Sequence, residues 1–422
     1  MLGKNSIKKA LSLIVLAAVL LSVGCGKTVG PTTASINAVD LMSGIFSKNT
    51  ASPTVPSSES TDKAADFAVR LFKAALEEGN TLVSPLSVLA ALAMTANGAE
   101  GETLMQMETV LGMDVNELNE FYYNYAAQLT NSEKANLKLA NSIWFTADER
   151  FTVREDFLQK NADIFGADIY KAPFDAGTIR DVNDWVKKHT DNMIPEILDK
   201  DFNLDDIVMI LVNALAFDAE WLSIYRKDQV SRGDFTLEDG SRRDAEFMYS
   251  LEPGYLSSDN ATGFIKYYNG QKYAFVALLP NKGVSVSELV ASLDGGKLMS
   301  ILGSADETGV MVSIPKFETE FSAELGEVLA KMGMSRAFDY DHAEFAGLGA
   351  SSCDNIRINS VIHKTFISVD ERGTRAGAAT AVILTDGGAF TEHSVFLDRP
   401  FVYMLIDTET NLPFFIGTMM EP

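Results

Sequence analysis

Cysteine is nearly absent from this chain. Its 422 residues include two, Cys25 and Cys353, so no disulfide framework supports the fold and a large core must do so, for which 46% hydrophobic residues suffice. Histidine is almost as scarce: His189, His342, His363 and His393 stand at no metal-ligand spacing, and no metal or other cofactor is expected. Positive charge is short, with 35 Lys and Arg against 58 Asp and Glu and a formal net charge of -23. That balance excludes nucleic acid and heparin-like polyanions as partners. Neither a Gly-x-Ser-x-Gly nucleophile elbow nor a Gly-x4-Gly-Lys-Ser/Thr phosphate loop occurs, and the many carboxylates single out no acid/base pair. An enzyme is therefore not expected.

The N-terminus carries Lys4, Lys8 and Lys9, an apolar run over 10–21, and then Ser22-Val23-Gly24-Cys25. This is the pattern of a secretory signal, and the run is short for a membrane span. It is similar to a bacterial lipoprotein signal, which implies lipidation of Cys25 and a protein held at the extracellular side of the membrane. The departure is Ser22 where a leucine is usual, with Leu21 one place early; a cleaved signal with secretion, or a retained anchor, is the alternative. The expected organisation is a signal over 1–24, a flexible tether over 25–61 with Pro31, Pro53 and Pro56 among Ser and Thr, and one large domain over 62–422.

Within the domain, Phe67, Ala68, Leu71, Phe72, Ala75 and Leu76 recur at helical spacing, which predicts a first helix from about Ala64, with Thr61 as its N-cap and Gly79 as its stop. The same spacing returns at Ile179, Val182, Val186, His189 and Met193. The continuous apolar run over 208–217 reads as a strand covered on both faces, and further strands are expected over 273–279, 310–314, 356–369 and 401–406. Helices and strands do not alternate, which predicts an α+β fold with large antiparallel or mixed sheets.

The most telling stretch is Glu371-Arg372-Gly373-Thr374-Arg375-Ala376-Gly377-Ala378-Ala379-Thr380-Ala381, followed by Val382-Ile383-Leu384-Thr385 with no proline between 374 and 398. Small side chains, then β-branched ones, suit a segment threaded into an existing sheet. An alanine-rich helix is the plainer alternative.

The run resembles the hinge and reactive-centre loop of the serpins, serine-protease inhibitors whose loop inserts into their own sheet. Ser84-Pro85-Leu86-Ser87, Asn213-Ala214-Leu215-Ala216-Phe217 with Trp221, Ile314-Pro315-Lys316-Phe317, Val361-Ile362-His363-Lys364 and Phe414-Phe415-Ile416-Gly417 resemble that family's motifs in its order. The resemblance implies the serpin fold, with eight or nine helices and an exposed loop over about 371–398. It also implies a suicide inhibitor, monomeric, that traps a serine protease in a covalent one-to-one complex. The implied hinge is Glu371, Gly373, Thr374, Ala376, Ala378 and Thr380. The implied insertion point, the breach, joins Trp221, Lys316 and Glu371. Ser84, Ser87, Asn213 and His363 form the implied polar cluster, the shutter, lower in the sheet. A non-inhibitory serpin and a ligand-binding lipoprotein are the alternative readings.

Counting from the hinge puts the scissile bond at Gly387-Gly388, and counting back from Arg399-Pro400-Phe401 puts it at Ala389-Phe390, which brackets Asp386, Gly387, Gly388, Ala389 and Phe390. No Lys or Arg lies between 376 and 398, which disfavours trypsin-like enzymes and points to elastase-like or subtilisin-like targets, with a chymotrypsin-like one second. The family usually has glutamate where Arg375 stands, and phenylalanine-lysine where this chain has Phe217-Asp218. Strand alternation separates Arg375 from Thr374, Ala376, Ala378 and Thr380, so its charge is tolerable if the latter set faces the core.

Overall fold

The computed structural model describes residues 36–129, 131–205, 207–306, 308–352, 355–374 and 392–422. Cys25, Cys353, Ala376, Ala378, Thr380 and the expected scissile region at 386–390 lie outside the described residues.

A seven-stranded main sheet organises the molecule. Its strands are β1 (Val39–Asp40), β2 (Ala135–Thr146), β3 (Asp168–Ala172), β4 (Met209–Glu220), β5 (Phe317–Glu324), β6 (Ser360–Val369) and β7 (Gly373–Thr374), in the order β1-β3-β2-β4-β7-β6-β5. The sheet is mixed: β2 runs antiparallel to β4, while β4 and β6 run parallel. A six-stranded sheet lies beneath it, with Tyr273–Pro280, Phe401–Asp407 and Pro413–Met419 buried along their whole length. A four-stranded sheet, a two-stranded one and nine α-helices complete the described residues. The α+β expectation holds.

The run expected over 208–217 is β4, and of its twelve residues only Asp218 is not buried. Its alternation explains why: Leu211, Leu215, Phe217 and Ala219 enter the core between the two large sheets, while Ile210, Val212 and Ala214 enter a second core on the outer face. That second core is closed by Ile179, Val182, Trp185 and Val186 of the helix Ala176–His189. Met193 lies beyond that helix, which gives way to left-handed Asp191 and Asn192. The strand expected over 356–369 starts at Ser360.

Two expectations at the N-terminus need correction. The first helix is Ser58–Ala74, capped by Ser57, whose side chain accepts from the Ser60 N–H; Thr61 sits inside and donates back to the Ser57 carbonyl. The tether expected over 25–61 is not free over 36–57. The Asn37 and Ala38 amides donate to the buried Asp181 carboxylate at 2.9 and 2.8 Å, β1 pairs with β3, and the chain continues past Asp163, which accepts from the Lys48 amide, to Asn124, which accepts from the Thr54 amide. Polar Ser/Thr/Pro composition hid this strap, which is held by backbone hydrogen bonds together with a few scattered apolar side chains, Leu41, Met42 and Ile45 against the main core and Ile36 and Ala38 against the second. No helix among the described residues is long and apolar enough to cross a membrane.

Candidate functional site: the opening in the main sheet

The two central strands are only half joined. β4 and β6 pair directly from Ile210↔Ser360 to Leu215↔Thr365. Above that level, toward Glu220 and Val369, their described contact runs through β7, in which Thr374 pairs with both Ala219 and Val369. The hinge therefore already stands between the strands at the top of the sheet. Thr374 is buried at 1% exposure, so the expected exposed loop over 371–398 is narrower than its bounds: it begins inside the sheet and ends in the strand His393–Phe396 of the four-stranded sheet.

A tight hairpin brings the hinge there. The Asp370 carboxylate accepts from the Arg372 and Gly373 amides, and the Asp370 amide donates to the Gly373 carbonyl. Gly373 then approaches β4 so closely that a Cβ atom would lie 1.9 Å from the Ala219 carbonyl oxygen; the residue must be glycine for this contact.

The three residues of the expected insertion point are brought together. The Trp221 indole N–H donates to the Asp370 carbonyl at 2.8 Å and the Trp221 amide donates to the Arg372 carbonyl. The Lys316 ammonium lies 2.9 Å from Glu371 and 3.1 Å from Glu246. Hydrogen bonding to Glu371 raises the Lys316 pKa; burial opposes the Glu371 charge, yet the hydrogen bond and charge of Lys316 together with a backbone hydrogen bond hold that carboxyl below its usual value. With both side chains about one third exposed, the pair contributes at most about 1 kcal/mol.

Beneath it lies a buried pair that sequence reasoning missed. Lys266, 1% exposed, meets Glu252 at 2.7 Å, and its ammonium caps the rings of Tyr225 at 4.4 Å and Trp221 at 5.1 Å. Burial works against the Lys266 charge, but Glu252 and Tyr225 more than compensate and raise its pKa. Lys266 and Glu252 face the core from different strands, so no local spacing reveals them.

The lower cluster also forms. The Ser84 amide donates to His363 Nε2 at 3.1 Å, so the neutral ring carries its proton on Nδ1 and donates to Asn213 Oδ1 at 2.7 Å. Asn213 passes a hydrogen bond to Asn141 Oδ1 on β2 at 2.9 Å, a member absent from the sequence reading. Burial lowers the His363 pKa to about 3. Ser84 and Ser87 are fully buried, but their hydroxyls have no hydrogen-bond partner among the described residues; the Ser84 amide, not its side chain, contacts the histidine. His189, His342 and His393 lie elsewhere, and the described residues contain no cluster of ligands suited to a metal.

Comparison with known proteins agrees with this architecture. Residues 62–422 match the family model described as serpin, serine protease inhibitor. An uncharacterised serpin-like protein of Thermococcus kodakarensis is 30% identical over 81% of each chain, and the human leukocyte elastase inhibitor is 28% identical over 84% of this chain and 97% of its own. Among solved structures, the thermophilic serpin Tengpin in its native state is 44% identical, covers 91% of this chain and all of its own, and superposes with a TM-score of 0.87. Family model, relatives and the half-open sheet agree, and the chain belongs to the serpin family.

Proposed function

We propose that the protein is a suicide inhibitor of an elastase-like or subtilisin-like serine protease, acting by loop cleavage, trapping of the acyl-enzyme and insertion of the loop into the main sheet. The observation that carries this reading is Thr374 standing between β4 and β6 where those strands have parted. The chain climbs β6, turns at 370–372 and descends antiparallel to both neighbours, so each further loop residue meets one residue lower on each strand.

That register makes the reading specific. Thr374 shares the core face with Ala219 and Val369, so Ala376, Ala378 and Thr380 follow it to the core and Arg375 goes to the outer face. Thr380 arrives level with Asn213 and His363, which are paired in the parallel ladder, and takes the place between them. Each inserted residue adds ladder hydrogen bonds worth on the order of 1 kcal/mol net, about 10 kcal/mol for the strand. An inserted run of 14 residues carries an attached protease roughly 46 Å. This is ample to disturb an active site in which one oxyanion donor is worth about a hundredfold to a thousandfold in rate.

Relatives named leukocyte elastase inhibitor and the small residues across 385–390 support the choice of target. Hinge, breach and shutter then take the roles the family resemblance implies: Glu371, Gly373 and Thr374 lead the strand in, Trp221 and Lys316 receive it, and Asn213 with His363 yields to it. In this reading the inhibitor is a monomer lipidated at Cys25 on the outer side of a bacterial membrane, and incorporation of a labelled fatty acid, lost in Cys25→Ser, tests the anchor.

Function is tested by mixing the domain with pancreatic or neutrophil elastase and with subtilisin. A denaturant-resistant one-to-one complex is expected, with the loop cut between Thr385 and Phe390. Cleavage there with unimpeded turnover of every protease identifies a non-inhibitory member instead.

A further inference from the structure

The hinge does not enter the sheet unaided. The Thr374 hydroxyl lies 2.5 Å from the phenolic oxygen of Tyr268, and both residues are buried. Tyr268 follows the strand Ala261–Tyr267 of the six-stranded sheet and so belongs to the layer beneath the opening. Its ring stacks on Trp221 with centroids 4.4 Å apart and planes at 11°, and it meets the edge of Phe217 at 5.0 Å. Its amide donates to the Tyr273 carbonyl, and its backbone bridges to Trp221. A ring clamped on two sides cannot swing away. Burial raises the Tyr268 pKa well above the ordinary phenol value, so the hydroxyl stays neutral.

We infer that Tyr268 is a positioning residue for loop insertion, holding Thr374 between β4 and β6 in the register from which the remaining residues zip downward; this rests on the inhibitory reading above. Starting a new strand is its costly step, because the first residue loses its freedom before any ladder exists to repay it. With Thr374 held, every later residue gains bonds on both sides. The contact also guards against slippage. A shift of one residue sends every side chain to the opposite face, and here it would bring Arg375 onto the Tyr268 hydroxyl in a buried site, where loss of water penalises its charge. The threonine hydroxyl fits; the guanidinium does not. Tyr268 thus reads the loop's register at the mouth of the sheet.

The test uses the full chain and an elastase that the wild type inhibits, and counts inhibitor molecules consumed per protease inactivated. Tyr268→Phe keeps the stacked ring but leaves the Thr374 hydroxyl without a partner, which shifts the docked population about tenfold. Severalfold more inhibitor should then be consumed, appearing as cleaved, unlinked product. Thr374→Val removes the other half of the bond and should act alike. The double variant removes both polar groups and should recover most of the loss, which a merely structural defect would not do. Unchanged consumption in both single variants, or additive damage in the double variant, overturns the inference and leaves the inhibitory reading standing. A wild type that forms no complex with any protease overturns that reading and this inference with it.

Discussion

His363 Nδ1 and Asn213 Oδ1 meet at 2.7 Å across the two strands that loop insertion has to part. The bond lies where direct β4–β6 pairing still holds, six ladder positions below Ala219 and Val369, the residues that Thr374 joins at the top of the sheet. It is the first side-chain link that an incoming strand has to sever, and Thr380 is the residue that arrives there.

Because burial holds the His363 pKa near 3 against 6.5 for the free side chain, native stability depends on pH with a definite sign. The unfolded chain takes up a proton below pH 6.5 that the folded ring refuses, so stability is full above 6.5 and falls as pH drops toward 3. At pH 4.5 this one group accounts for a loss of about 2 to 3 kcal/mol. Urea unfolding of wild type and His363→Gln at pH 7 and pH 4.5 should show the gap between them narrowing or reversing in acid; a gap independent of pH contradicts the buried neutral ring.

The N-terminal strap should be worth a measurable share of stability. Asp181 accepts from the Asn37 and Ala38 amides and from the Asn37 side chain, and hydrogen bonds to a charged group contribute about 1.5–3 kcal/mol. Asp181→Ala should therefore lower unfolding stability by about 2 kcal/mol and expose residues 36–57 to limited proteolysis. Protection equal to that of wild type would mean the strap is held by its other contacts alone.

Much of this was legible in the sequence, for identifiable reasons. β4 announced itself because both its faces are covered, and the hinge because only small side chains follow Gly373. Asn141, Glu252, Lys266 and Tyr268 were missed because each owes its place to a partner on another strand, and local periodicity carries no trace of such pairs. The strap was missed because Asp181 and Asp163 receive backbone amides, a contact open to any sequence, and because its few core-packed apolar residues, such as Leu41, Met42 and Ile45, follow no helical or strand period. Ser57 outcompeted Thr61 as the helix cap because Ser58–Ala74 extends a full turn further than its apolar positions require.

The register also pairs the two departures from the family pattern. Counting on from Thr374 opposite Ala219 brings Arg375 level with Asp218 on the outer face once the strand is inserted. An outer-face pair is worth at most about 1 kcal/mol, so Arg375→Glu should raise inhibitor consumption modestly, about two- to threefold, and Asp218→Lys with Arg375→Glu should restore it. On the core face the penalty is of another order: Thr374→Arg or Ala378→Glu buries an unpaired charge at several kcal/mol and should turn the inhibitor into a substrate. Equal damage from both faces would show that the register is wrong.

Loop insertion itself is tested most directly by thermal melting before and after limited proteolysis at 385–390. A completed central strand that adds about 10 kcal/mol should raise the midpoint of this domain by about 10 to 20 °C. A cleaved form that melts at or below the midpoint of the intact protein would contradict insertion, and with it the proposed mechanism of inhibition.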